Sequence, residues 1–256
     1  MHKALSILTF FLLVSCTTEK KSTPLYKPGV VISFDDDYVQ EWHDLDVAMQ
    51  KYNWKATFCV CYIDSLNPKQ MGQLKKLQSK GNEIAGHGYK HKNARNYVSK
   101  KGLASYLKNE IIPMEMSFKK NGLILNSFAY PFGANTPGID KALYKHFKML
   151  RRTHSASKRL KENSCFFVEN SKTVTGLGID NSYQHYDLDY FLRVLNFAKK
   201  NNRIVVLYAH KPVQKVTGTY QVDYKTVETI CKYVKENNMQ FYTLSELHQF
   251  LPVNIK

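Results

Sequence analysis

The chain has 256 residues, of which 43% are hydrophobic and 23% charged, an ordinary globular balance with length for one sizeable core. Mean hydropathy of −0.41 and the lack of any apolar run near 18 residues beyond position 16 exclude a polytopic membrane protein. The formal net charge of +16 comes from Lys scattered along the whole length, so it reads as a solvated basic surface and not as a nucleic-acid face. Attraction to anionic glycans or lipid headgroups is a by-product of such a surface.

Residues 1–15 have the form of a signal peptide. Lys3 supplies a positive charge, residues 5–13 (LSILTFFLL) an apolar stretch too short to span a bilayer, and Ser15 leads directly into Cys16. The segment resembles a bacterial lipobox, which implies that Cys16 is acylated and becomes the mature N-terminus. Residues 16–28 then form the lipidated terminus and a polar tether with no hydrophobic period. Thr17, and not Asp, follows the Cys. By resemblance to lipoprotein sorting in two-membrane bacteria, that implies an outer-membrane location. Membrane contact is expected through this anchor alone, and a monomer is expected.

From residue 29 strands and helices alternate. Residues 29–34 (GVVISF) form a β-branched run expected of a strand buried on both faces. Helical spacing follows over 39–52, a strand over 55–62, a helix over 69–80 closed by Gly81, and a short strand over 82–85. Residues 101–120 read as helix with a break at Pro113, then 127–130 as strand, 139–147 as helix and 148–153 as strand. After an irregular stretch come a helix over 187–201 capped by Asp187, a buried strand over 204–208 (IVVLY), a helix over 223–237 and a last strand over 240–243. Cys59 and Cys61, two apart in a strand-like run, read as core residues, not as a disulfide or metal framework. Repeated βα units predict one α/β domain over 29–256, a distorted (β/α) barrel of about seven parallel strands with its chemistry at the C-terminal strand ends.

The polar residues with chemical potential fall immediately after predicted strands. Asp35-Asp36-Asp37 follows the first, His87-Gly88-Tyr89-Lys90-His91 the third, Tyr130-Pro131-Phe132-Gly133 the next, and His210-Lys211-Pro212 the IVVLY run. His87 and His91, four apart, would share one face of a helical turn and chelate one ion, for which neutral imidazole suits zinc. Consecutive carboxylates at the end of a buried apolar strand repel one another and are costly to desolvate, so a cation belongs beside them. Asp37 alone is accounted for by a turn or helix cap. His210 at the same mouth is a candidate acid that titrates near neutrality.

S-F-D-D, G-H-x-x-x-H, A-Y-P-F-G and an apolar run ending in His, in that order from Gly29 to the T-L-S-E-L at 243–247, resemble the polysaccharide deacetylases, the NodB-like carbohydrate esterases of family 4. The resemblance implies a divalent metal, Zn²⁺ above others, on Asp36, His87 and His91. It implies Asp35 as the base that deprotonates water, His210 as the acid that protonates the leaving amine, and the Phe132 backbone N–H as an oxyanion donor. The implied activity is removal of N-acetyl groups from an amino-sugar polysaccharide at the cell envelope. An O-acetyl esterase and a catalytically weakened glycan-binding lipoprotein are the alternatives.

Three positions depart from the family pattern. Asp37 stands where the first motif usually ends in Gly, Gly88 where a Ser or Thr usually follows the first His, and Ala129 where an Arg often orients the catalytic Asp. Arg152 on the following strand is the expected replacement, with Arg151 the alternative because the inward phase of that strand is ambiguous.

Overall fold

The structure is a computed structural model that describes residues 26–255. The expected signal peptide, Cys16 and the expected tether up to residue 25 lie outside the described residues. Seven parallel strands close on themselves: β1 (Gly29–Asp36), β2 (Thr57–Val60), β3 (Glu83–Gly86), β4 (Ser127–Ala129), β5 (Met149–His154), β6 (Thr173–Gly178) and β7 (Ile204–Ala209), which pairs back onto β1. A small parallel pair, β8 (Lys211–Val213) and β9 (Gln221–Asp223), follows β7, and β10 (Gln240–Tyr242) comes last. The crossovers carry α1 (Val39–Met49), α2 (Pro68–Ser79), α3 (Ala94–Lys101), α4 (Leu103–Tyr106), α5 (Ile112–Lys120), α6 (Pro137–Leu143), α7 (Leu188–Lys200) and α8 (Tyr224–Glu236). Parallel strands need such crossovers, and the helices cover the outside of the sheet.

The strand count is the one expected, but its membership differs. Residues 240–243, expected in the barrel, supply β10, which pairs with β1 only at Gly29 to Val31, below the point where β2 joins at Ser33. The barrel is completed instead by β6, from the stretch read as irregular. Its sequence TVTGLG carries two glycines, and both are required. At Gly176 a Cβ would stand 3.0 Å from the Tyr208 ring and 3.2 Å from Arg151, and at Gly178 it would run into the Tyr183 ring. Glycine gives up the β-branched signature by which a strand is read.

Alternation along β1 divides its side chains between two environments. Val30, Ile32 and Phe34 join the large core under the helices, with Trp42, Leu45 and Phe58. Val31, Ser33 and Asp35 have the opposite phase. Val31 sits in a separate apolar cluster with Met149, Val206, Leu244 and Leu247, which plugs the lower barrel. Above it the lining turns polar and small: Glu83 accepts from Thr57 Oγ1 at 3.1 Å and from the Ser245 N–H at 2.9 Å, and Cys59, Ala85 and Ala129 form a tight group beyond. The described cysteines are all free and buried, in keeping with the core reading of Cys59 and Cys61.

The helix termini follow their sequence signals. Asn67 and Gln70 form a reciprocal capping box with Pro68 at the first turn of α2. Asp187 caps α7 through the Asp189 N–H, as expected, and Asp223 caps α8 through Thr226. Asp37 is no cap: α1 begins after Tyr38 without a side-chain cap bond. The predicted break near Pro113 appears as a wide π-type turn over Leu107–Ile111 between α4 and α5, a feature common beside functional sites.

Candidate active site

Asp35 and Asp36 are neighbours on a strand, and regular geometry would send them to opposite faces. Asp36 leaves that geometry, with φ at 86°, and its carboxylate meets the histidines at the barrel mouth. His91 Nε2 lies 3.3 Å from Asp36 Oδ1, His87 Nε2 3.6 Å from the same oxygen, and the two Nε2 atoms stand 3.2 Å apart. A tetrahedral ion with ligands about 2.0–2.1 Å away has ligand–ligand edges of about 3.3–3.4 Å. The three observed edges match that triangle, so the donor set fits a divalent ion.

Protonation states agree. The carbonyl of Ala129 accepts from His87 Nδ1 at 2.8 Å, which leaves Nε2 unprotonated and aimed at the cluster, the usual arrangement behind a ligating histidine. Burial, partly offset by Asp35, lowers the His87 pKa to about 4, so the ring is neutral at ordinary pH. Burial alone would raise Asp36, but the His91 hydrogen bond and the charges of His87 and His210 outweigh it and hold the carboxyl below its usual range. Asp37 is exposed at the surface, and partial desolvation beside the strand end, with the Asp36 charge, raises its pKa. It takes no place in the cluster.

The histidine pair is not on a helical turn, as its spacing suggested. Residues 87–93 form an irregular loop, with Gly88 at φ 82° and His91 at φ 50°. Glu110, in the wide turn between α4 and α5, fastens it. One carboxylate oxygen accepts from the N–H groups of Lys90 at 2.9 Å and Lys92 at 3.4 Å, while the Glu110 backbone carbonyl accepts from the Tyr89 N–H at 3.2 Å. A Cβ at position 88 would lie 3.2 Å from that same carboxylate oxygen. The Ser or Thr hydroxyl missing at position 88 is thus replaced from outside the motif, by a carboxylate that needs the space.

The expected partner of Asp35 was Arg152, and the structure corrects it. Arg151 is the inward residue of β5, wholly buried, and its Nη2 donates to both oxygens of Asp35, at 2.7 and 2.5 Å. Its guanidinium also stacks on the Tyr208 ring, 4.7 Å from the centroid. Arg152 points to the outer wall, where its Nε donates to Thr175 Oγ1 at 3.1 Å. The phase follows from register. Arg151 lies beside Ala129 on β4, and the small side chain at 129 leaves the interior volume that Arg151 fills.

His210 sits at the end of β7, and sequence reasoning missed its partner, Asp180. That carboxylate is fully buried. It accepts from His210 Nδ1 at 2.7 Å and from the His210 backbone N–H at 3.0 Å. Burial works against the imidazolium, but the Asp180 hydrogen bond and charge, with Asp35 and Asp36 behind them, raise the His210 pKa above the usual value. Asp180 follows β6, the strand hidden by its glycines. An acid two residues past a TVTGLG stretch was the available signal.

Phe132 completes the mouth. Its backbone is left-handed, at φ 60°, and its exposed ring lies over His91 with centroids 4.8 Å apart. The turn is anchored by Tyr130, whose hydroxyl donates to Asp140 at 2.6 Å, and by Gly133, whose Cβ position is filled by Thr153. The Phe132 N–H makes no hydrogen bond within the described residues. Tyr208 and Tyr183 form an aromatic wall opposite, their hydroxyls 2.7 Å apart, with Tyr220 against the His210 ring at 5.2 Å. Asp35, Asp36, His87, His91, Phe132 and His210 are therefore gathered at one end of the barrel, with Arg151 beneath them, while Arg152 is excluded.

The polysaccharide deacetylase family model matches residues 22–147, a span that holds the first three motifs. No curated protein matches the chain. Among solved structures, a carbohydrate esterase family 4 domain of a multidomain xylanase, from a Trinervitermes trinervoides hindgut metagenome, aligns with a TM-score of 0.55. The identity is 16%, over 88% of this chain and 91% of that one. The catalytic domain of a peptidoglycan N-acetylglucosamine deacetylase from Eubacterium rectale aligns at 0.51, with 17% identity over 86% and 90%. A family 4 pseudoenzyme from Bacillus anthracis aligns at 0.53, with 14% identity over 89% and 67%. These likenesses show a common fold that extends past residue 147. Over residues 22–147 the chain belongs to the polysaccharide deacetylase family.

Proposed function

We propose that the chain is a metal-dependent hydrolase that removes N-acetyl groups from an amino-sugar polysaccharide of the cell envelope. The observation that carries this reading is the Asp36–His87–His91 triangle with a buried, Arg-held carboxylate on one side and an Asp-backed histidine on the other. A divalent ion held there, with zinc preferred by the ligand set and spacing, would polarise the acetyl carbonyl and bring the pKa of water towards ~7.

The remaining work falls to side chains. Asp35, fixed in orientation by Arg151, takes the proton from the attacking water. Both of its oxygens are bound by one guanidinium nitrogen, so the carboxylate cannot rotate away from the mouth. The free Phe132 N–H is available to the developing oxyanion, a type of donor worth roughly 3–4 kcal/mol. His210, charged through Asp180, delivers a proton from Nε2 to the departing nitrogen. An amine is a poor leaving group unless protonated, so a histidine kept protonated by a buried aspartate favours N-deacetylation over O-deacetylation. The weakened-binder reading rested on positions 37, 88 and 129; Glu110 and Arg151 fill the gaps at 88 and 129, and Asp37 stays outside the cluster.

Acetate release from N-acetylglucosamine oligomers and from acetylated xylan, with metal-reconstituted wild type, Asp35→Asn and His87→Ala, tests the proposal. Release from the amino-sugar oligomers, lost in both variants, is expected. Release from xylan alone would transfer the activity to O-esters. No release from either substrate with metal bound would overturn the enzyme reading. The same proposal places the chain in the outer membrane through acylated Cys16, supported by the order of residues 1–17 and tested by acyl labelling of wild type against Cys16→Ser.

A further inference from the structure

Among the described residues, the β5–β6 crossover is the one within the barrel that carries no α-helix. Residues 155–172 run along the wall instead, and Phe166 bridges antiparallel to Val205 of β7. They leave a groove of about 930 Å³ on the outer face of β5 and β6, back to back with the Asp35 site. Arg152 and Thr175 form its floor, Lys161 rises on one side, and Lys200 and Arg203 on the other. The rings of Phe166 and Phe197 lie between, 5.1 Å apart.

The charged residues that line the groove are all cations. All four of these cations are exposed, and among the described residues none of them has an ion-pair partner and no Asp or Glu lines the groove. Of the acids on the same segment, Glu162 pairs with Arg159, and Glu169 bonds the Tyr26 hydroxyl, which also feels the Arg203 charge at the edge of the groove. A concave surface lined by one sign of charge concentrates the opposite sign. Guanidinium forks match carboxylates, and apolar rings beside them offer faces on which sugar rings can lie.

We propose that this groove is a second polysaccharide site, which holds a carboxylate-bearing stretch of an acidic glycan while the barrel mouth works elsewhere on the polymer. It rests on the reading above in taking a sugar polymer as the occupant. The test is calorimetric titration of the full chain in mild detergent with polygalacturonate oligomers. Lys161→Glu/Lys200→Glu/Arg203→Glu is expected to weaken binding about tenfold or more, as the loss of charge-assisted contacts requires. A matched reversal of scattered lysines, Lys76→Glu/Lys119→Glu/Lys225→Glu, is expected to change it by less than about threefold. Neutral N-acetylglucosamine oligomers are expected not to compete. Equal losses in the two triple variants would overturn the proposal in favour of bulk charge, and so would undetectable binding by wild type. Single variants Lys200→Gln and Arg203→Gln keep the comparison open should the triple variant fail to fold. Acetate release is read separately, so failed catalysis with groove binding intact would sink the deacetylase reading and leave the groove standing.

Discussion

Asp180 holds His210 twice, through the imidazole Nδ1 at 2.7 Å and through the backbone N–H at 3.0 Å, so one buried carboxylate fixes both the charge and the direction of the proposed acid. Asp180→Asn keeps the shape and removes the charge. Burial then acts on His210 without the compensation that raises its pKa. The protonated, active form should persist over a narrower range, and the alkaline limb of kcat/KM should move to lower pH. The expected fall in kcat is about a hundredfold, within the span of general acid catalysis. An alkaline limb at its wild-type pH would remove Asp180 from this role.

Arg151 and Arg152 are adjacent and should behave as opposites. Arg151→Ala leaves Asp35 buried at 3% exposure without its partner, and breaking such a pair costs about 3–5 kcal/mol. Thermal unfolding should show that loss, with acetate release abolished. Arg152→Ala removes one bond to Thr175 on the outer wall and should leave both stability and release of acetate from short oligomers near wild type. Thermal melts and initial rates on the two variants side by side decide the matter, and reversed outcomes would restore Arg152 to the site.

These two residues also show how much of the site was legible in the sequence. The motif residues announced themselves because each follows an apolar run that ends abruptly in polar groups. The partners did not. Which arginine faces inward depends on the register of β5 against β4, and Met149-Leu150, both apolar, give no phase. Asp180 stands 30 positions before His210 behind a strand whose glycines serve Tyr208 and Tyr183. Glu110 had a readable signal, since it falls on the stripe Tyr106, Glu110, Met114 of a helical segment, where a carboxylate is out of place. What it binds, the backbone of a loop 20 positions earlier, is a matter of tertiary structure alone. For the same reason the barrel could be counted from periodicity, while its closing strand could not be picked.

Glu110→Ala should loosen the metal ligands without touching them. It strips the acceptor from the Lys90 and Lys92 N–H groups and frees the loop between His87 and His91. Loss of supporting hydrogen bonds behind metal ligands typically costs about 10–100-fold in affinity, and that range is expected for zinc by competition with a chromogenic chelator. Glu110→Gln keeps an acceptor oxygen and should recover most of the affinity. If Ala and Gln variants bind metal as wild type does, the loop is held by other means.

The metal-free protein should be acid-labile in a window set by His87. An unfolded imidazole takes its proton near ~6.5, whereas burial lowers the folded value to about 4. The unfolded state therefore binds more protons between those values, and stability falls as pH falls. The contribution of the neutral ring is whole above ~6.5 and is lost towards ~4, by an amount of order 3 kcal/mol. Asp36, held below its usual range, pulls in the same direction at the acid end. With chelator present, the melting temperature should drop steadily from pH 7 to pH 4, and the drop should shrink in His87→Asn, which has no such proton to gain. Bound metal needs the same unprotonated ligands, so loading at saturating zinc should move the decline to lower pH. A melting temperature that is flat across this window in chelator would mean that His87 meets solvent more freely than its burial indicates.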